Sequence, residues 1–99
     1  MTVLVDGINS VANSWETLFT ASVDTKIGGY AATNIAGNNV SYKAAISQGS
    51  TIREIINHQI IVRNKSHEGW QLVGQTIPQD WSLMFQTSEI AGVHFYVSD

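Results

Sequence analysis

The chain has 99 residues with one proline and no cysteine, 43% hydrophobic and 13% charged residues, and a formal net charge of −3. That length fits one small domain, and the missing cysteine excludes disulfides and thiolate metal sites. Five basic residues, Lys26, Lys43, Arg53, Arg63 and Lys65, are outnumbered by eight acidic ones and do not form a phosphate-binding cluster in the sequence, so nucleic acid is not expected as a partner.

About 25% charge is usual for a soluble domain, so a surface built from Ser, Thr, Asn and Gln, suited to protein contact, is expected. A domain this small buries only about 60% of its unfolded surface, which makes oligomerisation or docking an expected source of extra stability. No apolar run approaches the roughly 20 residues that span a bilayer, and the first residues lack a basic region followed by a long apolar one. Neither membrane insertion nor export by a signal peptide is expected.

Residues 1–14 mix short apolar side chains with Asp6, Gly7, Asn9, Ser10, Asn13 and Ser14 and show no sustained period. They read as an N-terminal arm ordered by a neighbour, with Val3, Leu4 and Val5 as contact residues; an edge strand at the same three residues is the alternative. The remaining residues, 15–99, read as the folded domain.

A β-rich string from Trp15 to Ala21 predicts the first strand of that domain, and residues 25–34 the next. Gly28-Gly29 inside the latter predicts a bulge or a close backbone approach. Gly37-Asn38-Asn39 predicts a hairpin, since Gly and Asn tolerate the positive φ of tight turns. In the following strand Val40, Tyr42, Ala44 and Ile46 alternate with Ser41, Lys43, Ala45 and Ser47, the period of a half-buried strand.

From Thr51 the spacing is ambiguous, because Thr51 and Glu54 match a capping box and Ile52, Ile55 and Ile56 match a helical turn. The β-branched density through Ile60, Ile61 and Val62 favours strand. After a polar loop, Trp70 opens a short apolar strand, and Pro78 marks a turn or sheet edge. Trp81, Leu83 and Phe85 then share one face, as do Val93, Phe95 and Val97, with His94 and Tyr96 facing outward. Seven to eight short strands separated by turn residues predict an all-β fold, a single antiparallel β-sandwich of jelly-roll-like or Greek-key type.

Candidate chemistry is sparse. His58, His67 and His94 have no metal-ligand spacing. Asp80 reads as a turn residue whose side chain bonds nearby amides, in preference to a general acid. No nucleophile elbow or phosphate-binding glycine loop occurs, so no catalytic residue, cofactor site or metal site is expected. Asn39-Val40-Ser41 and Asn64-Lys65-Ser66 match the glycosylation sequon and, without a signal peptide, read as coincidental. Trp15, Trp70, Trp81, Tyr30, Tyr42 and Tyr96 either form core and interface or include a platform that stacks on sugar rings. Trp81 is expected in the core, and outward-facing Tyr96 at a protein interface.

Leu18-Phe19-Thr20-Ala21, Asn34 at the end of a strand, and Ile77-Pro78-Gln79-Asp80-Trp81-Ser82-Leu83 before the last two strands form a pattern over roughly residues 15–98. It resembles the small β-sandwich accessory proteins of tailed-phage virions. Phe19 replaces the usual Tyr of a Leu-Tyr-Thr-Ala segment, and Gln79 stands where the late turn often has Gly, which implies altered turn geometry or local strain. The resemblance implies a non-enzymatic virion structural protein, assembled in the host cytoplasm. Its expected role is capsid decoration or cement, with the major capsid protein or other virion proteins as partners and homo-oligomerisation expected. A neck, tail or fibre-attachment component is the alternative within that class, and a carbohydrate-binding module for host adsorption the alternative outside it.

Overall fold

The computed structural model describes residues 2–99, and Met1 of the expected arm lies outside them. Ten antiparallel strands form among these residues. They are β1 (Val3–Ile8), β2 (Glu16–Thr20), β3 (Thr25–Lys26), β4 (Gly29–Asn34), β5 (Val40–Gln48), β6 (Thr51–Ile61), β7 (Ser66–His67), β8 (Thr76–Ile77), β9 (Ser82–Thr87) and β10 (Val93–Ser98). The first five pair with the last five in reverse order: β1 with β10, β2 with β9, β3 with β8, β4 with β7, and β5 with β6. The chain is therefore one long antiparallel ribbon, doubled back at Gly49-Ser50.

Further pairing of β10 with β4 and of β9 with β5 rolls that ribbon into two four-stranded sheets, β1-β10-β4-β7 and β2-β9-β5-β6. This nested order, wrapped into two facing sheets, is the jelly roll. The count of ten exceeds the seven to eight expected because β3, β7 and β8 are two-residue strands.

Alternation decides what lies between the sheets. Phe95 and Tyr30 from the first sheet meet Phe85 and Tyr42 from the second: the Phe85 and Phe95 ring centroids are 4.0 Å apart, Tyr30 stacks on Phe85 at 6.0 Å, and Tyr42 meets Phe95 edge-on at 5.7 Å. Each pair crosses between sheets, so the rings fasten the two layers as well as fill them. Val40, Ala44, Leu83, Val93 and Val97 complete this core.

Three local expectations are corrected. For residues 2–14 the arm reading gives way to its alternative: β1 is an edge strand of the first sheet, with Val5 buried in the core. Gly37-Asn38-Asn39 is not an in-sheet hairpin, because β4 and β5 belong to opposite sheets and the loop crosses between them. The tight hairpin is the Gly49-Ser50 loop joining Gln48 and Thr51, with Gly49 at φ 59°. Finally, Trp70 does not open a strand. Residues 70–74 form a turn that drops Leu72 alone into the core.

Other readings hold, except the side-chain bond assigned to Asp80. Residues 51–61 are strand rather than helix, kinked by register shifts opposite Tyr42–Ala45 and by positive φ at His58. Gly28 and Gly29 make the close approach foreseen: a Cβ on Gly28 would lie 2.5 Å from the Asp99 carbonyl oxygen, and one on Gly29 2.7 Å from Ser98 Oγ. In the Pro78–Trp81 turn the positive φ falls on Asp80 rather than Gln79. The Gln79 amide is bonded by Asp24 Oδ1 at 2.8 Å, so Asp24 supplies the side-chain bond assigned from sequence to Asp80.

Candidate protein-interaction surface

The register sorts the connections to the two ends of the sandwich. The β1–β2, β4–β5, β6–β7 and β9–β10 connections gather at one end, the loop end. The β5–β6 hairpin and the β2–β3, β3–β4 and β7–β9 connections lie at the other, the hairpin end.

Two buried asparagines organise the loop end. Asn9, 3% exposed, directly follows β1; its Nδ2 donates to Thr87 Oγ1 at 2.6 Å and to the Glu89 carbonyl at 2.7 Å, and its Oδ1 accepts from Val93 N at 2.9 Å. Asn34, 2% exposed, closes β4; its Nδ2 donates to the Asn38 and Ile61 carbonyls, each at 2.9 Å, and its Oδ1 accepts from Ala36 N at 2.8 Å. An amide side chain suits this place because it offers donors and acceptors together. Each staples two separate connections and satisfies backbone groups that burial would otherwise leave unpaired.

Backbone bonds finish the lattice. Ile35 N donates to Gly92 O, Ala91 N to Asn9 O, Asn13 N to Thr87 O and Asn34 N to Lys65 O. All four connections are thereby linked into one preorganised surface.

That surface displays apolar side chains. Ile8, Val11, Ile35, Val62 and Ile90 are all exposed, Ile90 at 64%. Scattered apolar residues are ordinary on a protein surface, but four on mutually bonded loops, with Ile8 at the end of β1 beside them, mark a candidate contact face. The rigidity matters energetically, since ordering loops on binding costs free energy that these loops have already lost on folding.

The residues expected at an interface are dispersed. Val3 is exposed but pairs with Ser98 at the hairpin end, Leu4 packs against the core, and Val5 is a core residue, so burial removes it from any contact face. Tyr96 does face outward, half-buried on the first sheet between its neighbours Asp6 and Ala31. Beside it His94 Nε2 lies 2.7 Å from Asp6 Oδ1, the one side-chain contact of salt-bridge geometry among the described residues. The sequence reading missed Ile8, Val11, Ile35, Val62 and Ile90. The signal was apolar side chains set inside Asn-, Gly- and Ser-rich connections.

The aromatic residues divide likewise. Ring pairs among the described residues involve Tyr30, Tyr42, Phe85, Phe95 and His67. Trp81 is half-buried against the core, with the Arg53 guanidinium 5.2 Å from its ring centre. Trp70, 78% exposed, stands alone on its turn.

The Tyr42 hydroxyl lies 2.6 Å from His67 Nδ1, and the Tyr30 hydroxyl is buried without a hydrogen-bond partner among the described residues. Burial raises both tyrosines well above their ordinary value and lowers His67. Tyr30 and Tyr42 lie inside the sandwich with His67 at its partly exposed edge, and a Cβ on Gly69 would crowd the tip of Ile56 at 2.8 Å and the Tyr30 ring at 3.0 Å. No group of three or more metal-ligating side chains occurs among the described residues. Comparisons with family models, curated proteins and solved structures find no match to this chain.

Proposed function

We propose that the chain is a non-enzymatic structural protein of a tailed-phage virion, a decoration or cement protein that docks its loop end across capsid subunit boundaries. The observation that carries this reading is the stapled loop end, a rigid face with apolar side chains turned outward. The jelly-roll fold agrees with what the sequence resemblance implies, and Asn34, part of that resemblance, is one of the two staples.

A typical stable interface takes about 800 Å² from each partner. That is a modest share of the total surface of 5284 Å². Repetition over a symmetric shell multiplies the effect of each modest contact. Stiffening of the shell follows from spanning the joints between its subunits.

The test is immunogold electron microscopy of virions of the phage that encodes the chain. Label over the head is the expected result; label confined to the neck or tail moves the protein to that second position. Virions that neither label nor contain the chain by immunoblot overturn the structural reading. One observation favours a carbohydrate-binding alternative, the exposed Trp70 ring, and glycan binding lost in Trp70→Ala would support it.

A further inference from the structure

Between the β4–β5 and β6–β7 connections the loop end carries a shallow, open depression of about 840 Å³, lined by residues 37–39 and 62–65. Asn34 sets the spacing of these two segments: its side chain holds the Asn38 carbonyl of one and the Ile61 carbonyl at the base of the other, while its backbone N donates to Lys65 O. Asn39 Oδ1 reaches across to accept from Arg63 N at 3.0 Å.

The chemistry of the groove departs from that of the molecule. The chain is acidic, yet the groove contains Arg63 and Lys65 and no carboxylate. Neither cation has an ion-pair partner among the described residues. Between them and the crossing loop, Val62 is more than half exposed. An extended chain can lie over this open depression, because the Asn38 and Asn64 side-chain amides have both donors and acceptors for a peptide backbone. A guanidinium fork and an ammonium favour carboxylates.

We infer that this groove receives an extended acidic segment of a partner protein, with carboxylates against Arg63 and Lys65 and an apolar side chain against Val62. The inference deepens the loop-end docking reading and rests on it for the partner's place in an assembly. It supplies what an apolar face lacks, a charge requirement that selects among partners and fixes direction.

The test is a titration of the isotope-labelled chain, followed by NMR, with a capped peptide of alternating glutamate and leucine. A peptide with glutamine in place of glutamate and a single-stranded oligonucleotide serve as comparisons. Amide shifts confined to residues 35–39 and 62–65 are expected, with affinity falling at least about tenfold in Arg63→Glu/Lys65→Glu and in about 0.5 M salt. Both substitutions lie on exposed loop positions, and unchanged shifts in the strands show that the variant is folded.

A silent groove, equal response to the glutamine peptide, or stronger response to the oligonucleotide overturns the inference. So do shifts at the groove that grow with protein concentration alone, which would assign it to a second copy. The titration reads the groove independently of virions. A responsive groove with unlabelled virions removes only the virion assignment, and labelled virions with a silent groove remove only the acidic-segment inference.

Discussion

The two ends of the sandwich solve one problem with opposite chemistry. At the hairpin end the space between the sheets is plugged by apolar side chains: Ala21, Ile27, Leu72 and Ile77 are all essentially inaccessible to solvent. Backbone there closes by contact, with Ile27 N bonded to Gln75 O, Gly74 N to Ile27 O and Gly28 N to Ser98 O. At the loop end the plug is polar, Asn9 and Asn34 with Thr87.

Exposed apolar residues occur at both ends, Trp70 and Val23 at the hairpin end among them. The difference lies in what holds them. A polar staple makes its bonds with backbone, so the apolar side chains of those loops are not needed to close the end. Ile35 and Ile90 can then face solvent on a framework already fixed. The lesson is that side chains withheld from the core can remain available for a partner when hydrogen bonds do the closing.

The largest effect should come from emptying the apolar plug. Ile77→Ala removes a fully buried side chain and is expected to cost about 3–4 kcal/mol in urea denaturation. Asn34→Ala leaves three backbone groups without their side-chain partner and is expected to cost about 3 kcal/mol. A domain of this size has roughly 5–15 kcal/mol in all. If the two ends are closed independently, the double variant is additive within about 0.5 kcal/mol; a larger coupling would break the comparison.

Gly28→Ala tests the backbone contact at the hairpin end. Its Cβ would meet the Asp99 carbonyl at 2.5 Å, and a loss of about 2 kcal/mol is expected as the strands are forced apart.

His67 adds a pH signature between the ends. Burial lowers its folded pKa below the ordinary value of about 6.5, so on acidification the unfolded chain takes up the proton first. Its contribution to stability is full above that value and is lost as pH falls toward the folded pKa. The Tm of the native chain should therefore drop more than that of His67→Gln between about pH 7.5 and 5.5. An equal drop contradicts the lowering of the His67 pKa by burial.

The smallest effect should be a gain. Ala91 sits at φ 54° in the loop-end lattice, a left-handed conformation that disfavours a Cβ. Ala91→Gly is expected to be neutral or to stabilise by up to about 1 kcal/mol, the relieved strain being offset by added freedom in the unfolded chain.

The readable parts of the fold were those that a local period specifies. Val40, Tyr42 and Ala44, or Val93, Phe95 and Val97, announce their inner faces within five residues. The pairing of β1 with β10 lies beyond such signals, because an edge strand whose partner is at the far end of the chain has no local turn to mark it. Gly37-Asn38-Asn39 misleads for a related reason: turn residues report that the chain bends, without saying whether it re-enters the same sheet. At Trp70-Gln71-Leu72-Val73 the apolar run suggested a strand, but only Leu72 is required to fill the plug. The candidate face was hardest to read, because Val11, Ile35, Val62 and Ile90 come from four different connections and Ile8 from the end of β1, and only long-range bonds of the asparagine staples and the backbone bring them together.

Under the proposed virion role, the most direct test of the docking claim is co-sedimentation of the purified chain with phage capsids that lack it. Two variants with charged substitutions should be compared, Ile35→Asp/Ile90→Asp at the loop end and Val23→Asp/Val73→Asp at the hairpin end. All four positions are exposed, so each substitution should change stability by less than about 0.5 kcal/mol. The account predicts that the loop-end variant stays folded yet fails to sediment with capsids, while the hairpin-end variant sediments like the native chain. Undiminished binding by the loop-end variant, or loss confined to the hairpin-end variant, would contradict it.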